Sequence, residues 1–291
     1  MVGEYNIKAV IIGGDKRSVY LSALLQENGV SVKNYGLDSY ETKNIPNDGK
    51  LYELIEWGDI IIGGTPLSHN GVDFNAPYSK AVVKADDVLR LIKPPKIFFA
   101  GFVKENMREL AARYGTRLVD LLEREELALL NAIPTAEGAI RLAIENTDIT
   151  LHGANVLLIG YGRVGRVLGK KLCGIGASVF AVTFSGAEYA AAQSFGVSPV
   201  RYADMENALG DADVILNTVP KILIDRSNIK FIRKNTPFID ISSPPHGIDY
   251  TFAKEAGLAV IFSGSLPGAV APRSSALYNM KAIFNVLEGE I

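Results

Sequence analysis

Residues 155–165 read NVLLIGYGRVG, an apolar strand-length run that ends in G-x-G-x-x-G and opens directly into a stretch of helical period. No other segment leaves this chain fewer choices of fold. In that order Gly160 permits a tight turn, Gly162 lets a ligand pyrophosphate approach the backbone, and Gly165 lets the following helix lie close on the strand. Such a helix points its free N–H groups and positive end at the anion, with Arg163 and Val164 in its first turn. A glycine fingerprint alone is weak; here it closes a strand and opens a βαβ unit, so it predicts a dinucleotide-binding turn.

The same alternation of strand and helix runs along the chain. IKAVIIGG, DIIIGG and KIFFAG in the first half are followed by polar, helix-period segments at 16–26 and 104–114. After residue 154 come NVLLIG, ASVFAVTF, DVILNTV, TPFIDIS and LAVIFSG. This predicts an α/β protein: a C-terminal Rossmann doubly wound parallel sheet of five strands, and a smaller flavodoxin-like N-terminal α/β domain with an irregular stretch at 37–47. A length of 291 residues fits two cores better than one. We expect an N-terminal domain at 1–132, a connecting helix at 133–150 that starts at Pro134, and the Rossmann domain at 151–271. The apolar-periodic segment 272–291, with Pro272 at its start and Leu277, Met280, Ile283, Phe284 and Leu287 on one face, is expected to return to the first domain across a cleft.

A formal charge of −2 supplies no field for a polyanion, so nucleic acid is not an expected partner. The opening MVGEYNIK has no basic n-region and the apolar run after it is short, so no signal or membrane segment is expected and the cytoplasm is the expected compartment. Cys173 is the single cysteine, which excludes an internal disulfide and a cysteine-based zinc cluster; no metal site is expected.

An Asp or Glu at the end of the second Rossmann strand would hold the ribose 2′-OH of NAD. The chain has Thr183, Phe184 and Ser185 there. With no carboxylate and two hydroxyls, this favours NADP, with NAD as the alternative; no arginine sits in that loop, and Arg163 and Arg166 are the candidate cations. Asn217, Thr218, Val219 and Pro220 follow from the strand DVILNTV and are expected either to line the nicotinamide side or to form an ordinary turn.

NAIPTAEGAI, HGANVLLIGYGRVG, NTVP and SLPGAVAP, together with IIGGDKR and the run at 123–131, resemble the A subunits of dipicolinate synthases over essentially the whole chain. The resemblance implies a protein that works with a flavoprotein-like second subunit to convert dihydrodipicolinate to dipicolinate during sporulation. A homodimer or larger assembly is also expected. One departure stands at 183–185, where relatives tend to carry a small residue, Arg and Ser.

Such a reaction needs a hydride acceptor, anchors for two carboxylates and a base. Candidate anchors are Asn131 and Thr135 at the start of the connecting helix, Ser242 and Ser243 after FIDIS, Arg273, and Arg17 beside Gly13, Gly14 and Asp15. Each also has a plain reading: Thr135 or Asp15 as a helix cap, Arg273 as a solvated residue. Glu137, in the expected first helical turn, is the leading base candidate, otherwise a carboxylate complementing the helix dipole. Asp240 and His246 are alternatives, otherwise a loop-ordering residue and an exposed loop histidine. Two other functions stay open: a non-catalytic protein that binds cofactor or substrate for its partner, and a free-standing dehydrogenase of the 2-hydroxy-acid or shikimate type. Against the 2-hydroxy-acid type, no histidine follows LAVIFSG; against the shikimate type, no Ser-rich loop with a downstream lysine follows the first strand.

Overall fold

The structure is a computed structural model that describes residues 7–40 and 48–289. Most of the irregular stretch at 37–47, and the first six residues on which the reading of the amino end rests, lie outside the described residues. The chain forms two compact units: one from the described residues up to Ala128 and from Ala271 onward, the other Leu129–Val270.

In the first unit, β1 (Lys8–Ile12), β2 (Ser31–Tyr35), β3 (Ile60–Ile62), β4 (Ile97–Ala100) and β5 (Arg117–Asp120) pair in parallel in the order β2-β1-β3-β4-β5. This is the flavodoxin-like order. The sequence KAVII explains why β1 is central: successive side chains point to opposite faces, and all four apolar ones are fully buried. Ala9 and Ile11 pack with Leu24 and Leu25 of the helix Lys16–Glu27 and with Ala276, Met280 and Ile283 of the helix Pro272–Leu287. Val10 and Ile12 pack on the other face with Leu54, Val88 and Met107. Pro272 does sit in the first turn of its helix, where a missing N–H costs nothing.

In the second unit, β6 (Asn155–Ile159), β7 (Ser178–Thr183), β8 (Ser198–Arg201), β9 (Val214–Asn217), β10 (Phe238–Asp240) and β11 (Val260–Phe262) form a six-stranded parallel sheet, ordered β11-β10-β9-β6-β7-β8. Followed from the β8 edge this is the doubly wound order 3-2-1-4-5-6. The sheet thus has one strand more than the five read from the sequence. The extra strand is SPVR, four residues with a proline, tolerable because it lies at the edge.

The connecting helix also differs from expectation. It runs Glu125–Glu145 and contains Pro134 in its interior. The acidic first turn, Glu125 and Glu126, marks its start, and Ala136, Ala139 and Ala143 give it a buried face that carries it past the proline. Among the described residues this is the one helix long and apolar enough to cross a membrane by length and composition, and those alanines are core residues of the second unit.

Candidate functional site

The second unit's sheet reverses direction of winding between β6 and β9, and the glycine turn lies there. Gly160 has φ +96°, a conformation suited to glycine, and its amide donates to the Val182 carbonyl (3.0 Å). A side chain at Gly160 would run into Thr218 and Val219; one at Gly165 would overlap the Gly160 carbonyl oxygen. Thr218 ties the turn to β6 by donating its hydroxyl to the Ile159 carbonyl (3.0 Å). Gly162 is different: it is exposed, caps the helix Arg163–Gly174, and a Cβ built on it would meet no atom within 4 Å. Two glycines of the fingerprint are therefore filled by the protein itself and the middle one faces open space. Helix geometry gives the first-turn amides, those of Val164 and Gly165 among them, no helical carbonyl to bond and directs them outward at that end.

The first unit offers a contrasting turn. After β1, side chains at Gly13 and Gly14 would collide with the Asn75–Ala76 backbone and with Ser18, and the Gly14 amide donates to Asn75 (2.6 Å). Asp15 caps the helix through the Arg17 amide (2.9 Å), and the Arg17 guanidinium, 8% exposed, pairs with Asp15 (2.7 Å) and donates to the Thr65 carbonyl. Arg17 is therefore a brace of its own loop and not a free anchor.

At the ends of β9 and β10 several predicted residues meet, but chiefly one another. Asp240, 1% exposed, accepts from Asn217 Nδ2 (3.0 Å), the Ser242 amide (2.9 Å), Ser242 Oγ (2.6 Å) and the Gly247 amide (2.7 Å). Asn217 is fully buried; its side-chain amide also donates to Ser242 Oγ (3.2 Å) and to the Val219 carbonyl, and its Oδ1 accepts from the Val219 amide. Asp240, Asn217 and Ser242 thus form a closed buried network, which corrects their reading as base, nicotinamide contact and substrate anchor. Val219 and Pro220 remain at the open edge, and Ser243 is exposed.

That network holds the loop carrying His246. The residue has φ +70°, its Nδ1 lies 3.1 Å from the Ser242 carbonyl, and its ring packs on Phe262 at 4.8 Å. A non-glycine residue in this region costs of order 1 kcal/mol and needs such surroundings to persist. With Nδ1–H donating to Ser242, Nε2 is left as an acceptor. His246 is half-buried, in contrast to the exposed loop histidine expected from its Pro-rich surroundings.

The helix Glu125–Glu145 accounts for three further expectations. Because the helix starts nine residues before Pro134, Thr135 is not its cap; its hydroxyl donates to the Asn131 carbonyl (2.7 Å). Glu137 is not in the first turn: it is exposed and pairs with Lys171 at 2.8 Å. Asn131 Oδ1 is buried and has no hydrogen-bond partner. Arg273 is exposed in the first turn of Pro272–Leu287, in the other unit.

The end of β7 holds what sequence reading missed. Thr183 is 5% exposed and spends its hydroxyl on the Val200 carbonyl (3.2 Å), so it is not available to a ligand. Ser185 caps the helix Gly186–Ser194 by accepting from the Glu188 amide (3.1 Å), and Glu188 reaches back to the Phe184 amide (2.8 Å). This reciprocal pair follows from S-x-x-E at 185–188, a pattern visible in the sequence. A cavity of about 440 Å³ opens beside it, lined by Thr183, Phe184, Ser185, Gly186, Tyr189, Arg201 and Tyr202. Arg201 ends the edge strand that was not anticipated, and it is in register with Thr183.

Residues 8–122 match the family model for the N-terminal domain of the dipicolinate synthase A subunit, and residues 135–243 match D-isomer specific 2-hydroxyacid dehydrogenase, NAD binding domain. The A subunit of dipicolinate synthase from Bacillus subtilis (strain 168) is 28% identical over 272 residues, 92% of each chain. The crystal structure of that synthase's A subunit from Bacillus subtilis superposes with a TM-score of 0.89 at 26% identity, covering 99% of this chain and 98% of that one. The corresponding structure from Bacillus halodurans gives 0.88 at 26% identity, covering 98% of each. The second unit is a Rossmann domain of the type that binds a nicotinamide dinucleotide.

Proposed function

Starting from the chain's kinship with the dipicolinate synthase A subunit along its whole length, we propose that it is the nucleotide-binding component of a dipicolinate-forming oxidoreductase. The single observation that supports this reading most is the glycine turn: Gly160 and Gly165 are closed by the protein, while Gly162 faces space that a pyrophosphate would fill. Gly160, Gly162, Arg163, Val164 and Gly165 would hold the pyrophosphate, and Thr218, Val219 and Pro220 would border the nicotinamide side. The nicotinamide supplies a hydride acceptor. NADP is the form we favour, with NAD second.

The proposed substrate is a dihydrodipicolinate-type dicarboxylate. Its oxidation to the aromatic product releases one hydride, to the nicotinamide, and one proton. His246 Nε2 is the group we assign to receive that proton: its partner atom is occupied by the Ser242 carbonyl and its loop is fixed by Asp240. Asn131, with its unpartnered buried Oδ1, and the exposed Ser243 are the proposed substrate contacts. A flavoprotein-like second subunit completes the proposed enzyme, in the cytoplasm of a sporulating cell.

The test is reconstitution, followed by ultraviolet absorbance of the aromatic product with each component omitted in turn. The mixture should be active with NADP+, and each protein by itself slow or inactive. His246→Gln should lower the mixture's rate by at least about 100-fold. Full turnover by the flavoprotein-like partner by itself would reduce this chain to a bystander. Full turnover of the His246→Gln mixture would favour the reading of a protein that binds cofactor and does no proton transfer.

A further inference from the structure

The pocket beside β7 has no role in the reading above, and it is lined by a cation that no carboxylate among the described residues pairs with. Arg201 is exposed at the end of the edge strand β8, and its guanidinium makes no salt bridge among the described residues. Backbone pairing puts Arg201 directly across from Thr183, the last residue of β7, so that it flanks the strand end where a Rossmann domain meets the adenosine ribose. The other lining residues suit the same end of a dinucleotide. Phe184 and Tyr202 lie ring to ring at 5.3 Å, tilted by 36°, and offer an aromatic wall for a base, while the Arg201 guanidinium lies 5.8 Å from the centre of the Tyr189 ring.

We propose that Arg201 determines cofactor choice by pairing with the 2′-phosphate of NADP(H) in this pocket, with the Ser185 hydroxyl as a second donor. The proposal rests on the reading of the second unit as an NADP site. Ser185 Oγ accepts from the Glu188 amide, and its own hydrogen remains to donate. A guanidinium suits this task because its fork of donors matches phosphate oxygens two at a time.

One group opposes this assignment. Glu188 places a carboxylate in the first turn of the same helix, and a carboxylate near the ribose would favour the 2′-OH of NAD and repel a 2′-phosphate. Two observations decide in favour of Arg201. The Glu188 carboxylate is directed to the Phe184 amide at 2.8 Å, closing the helix cap, and Glu188 is not among the residues that line the cavity, whereas Arg201 is. Arg163 and Arg166 do not line it either.

The full-length chain provides the test by calorimetry, with NADPH, NADH, 2′,5′-ADP and 5′-AMP as probes and no turnover required. The wild type should prefer NADPH to NADH and 2′,5′-ADP to 5′-AMP, and the preference should shrink as salt rises. Arg201→Ala should weaken NADPH and 2′,5′-ADP by at least about 10-fold, and leave NADH within about 3-fold. Glu188→Gln, which keeps an acceptor for the Phe184 amide, should not reverse the preference. Thermal melting of both variants guards against a folding artefact; Arg201 sits on an exposed edge, so its Tm should hold. If Arg201→Ala binds NADPH as the wild type does, or if NADH is preferred and Glu188→Gln abolishes that preference, the assignment of Arg201 is overturned and the glycine turn stands. If the wild type binds none of the four probes, the cofactor reading and this proposal fall together.

Discussion

Gly162 and Gly165 stand three residues apart in one fingerprint, and the structure predicts opposite consequences for giving each a methyl group. At Gly162 the backbone has φ −78° and ψ −152°, open to any residue, and no atom lies within 4 Å of the added carbon. Replacing glycine by alanine gains about 0.4–1 kcal/mol from the unfolded chain. Alanine is a poorer helix cap than glycine by a similar amount, so the net change is within ~0.5 kcal/mol. The melting temperature should move by no more than about 2 °C. Nucleotide binding should nevertheless fall at least about 10-fold, ~1.4 kcal/mol, because the methyl occupies the approach of the pyrophosphate. At Gly165 the added carbon overlaps the Gly160 carbonyl oxygen and comes within 3.1 Å of the Gly160 carbonyl carbon. Backbone cannot swing aside as a side chain can, so the helix must back away from β6, at an overpacking cost of about 1–3 kcal/mol. The Gly165→Ala variant should therefore lose both several degrees of Tm and its nucleotide. Differential scanning fluorimetry paired with calorimetric titration separates the two. A Gly162→Ala variant that melts normally and binds NADPH and NADH at wild-type affinity would refute the argument that this open glycine faces a ligand.

Three further outcomes follow from residues already described. Asp240→Asn puts an amide among four donors in a buried site, and should cost about 2–4 kcal/mol in a denaturant titration; unchanged stability would mean the network around Asp240 is not as drawn. Tyr161 lies within the glycine turn, fully buried, with a hydroxyl that has no partner and whose pKa burial pushes up; Tyr161→Phe should leave stability unchanged or raise it by up to ~1 kcal/mol, and a clear loss in Tm would reveal a partner for that oxygen. The exposed pair Glu137–Lys171 is worth at most about 1 kcal/mol, and Glu137→Gln should leave both Tm and the rate of the reconstituted mixture where they were; a rate loss beyond about 10-fold would return Glu137 to consideration as the base.

Much of the architecture was legible because parallel sheets announce themselves: KAVII and NVLLI are buried on both faces, so they stand out as unbroken apolar runs between helix-period segments. SPVR did not, since an edge strand can be short, half-polar and interrupted by proline, and with it went Arg201. Pro134 misled for a related reason. Proline at the first helical position is a sound local rule, but the buried alanine face of Glu125–Glu145 outweighs it, and Thr135 and Glu137 moved from the helix start to its interior. Among the site residues, glycines were readable because their role is steric and local. Asn217, Asp240 and Ser242 were not, because whether a polar residue at a strand end faces a ligand or its own neighbours depends on partners 23 or 25 residues away along the chain.

The alanine face of Glu125–Glu145 also sets where this protein can be cut. A fragment begun at residue 151, just ahead of β6, would contain every strand of the second sheet, yet it would lack Ala136, Ala139 and Ala143, which cover Val156 and Leu158. That fragment would present bare apolar surface over its central strand and should aggregate. Gly138 tightens the requirement, since a side chain there would press within 3 Å of Val270 and Leu266, so the helix bearing it also lies close against the last helix of the unit. An excisable nucleotide-binding piece therefore begins at Leu129, inside a helix, and not at the loop before the first Rossmann strand where a domain map drawn from strands alone would place it.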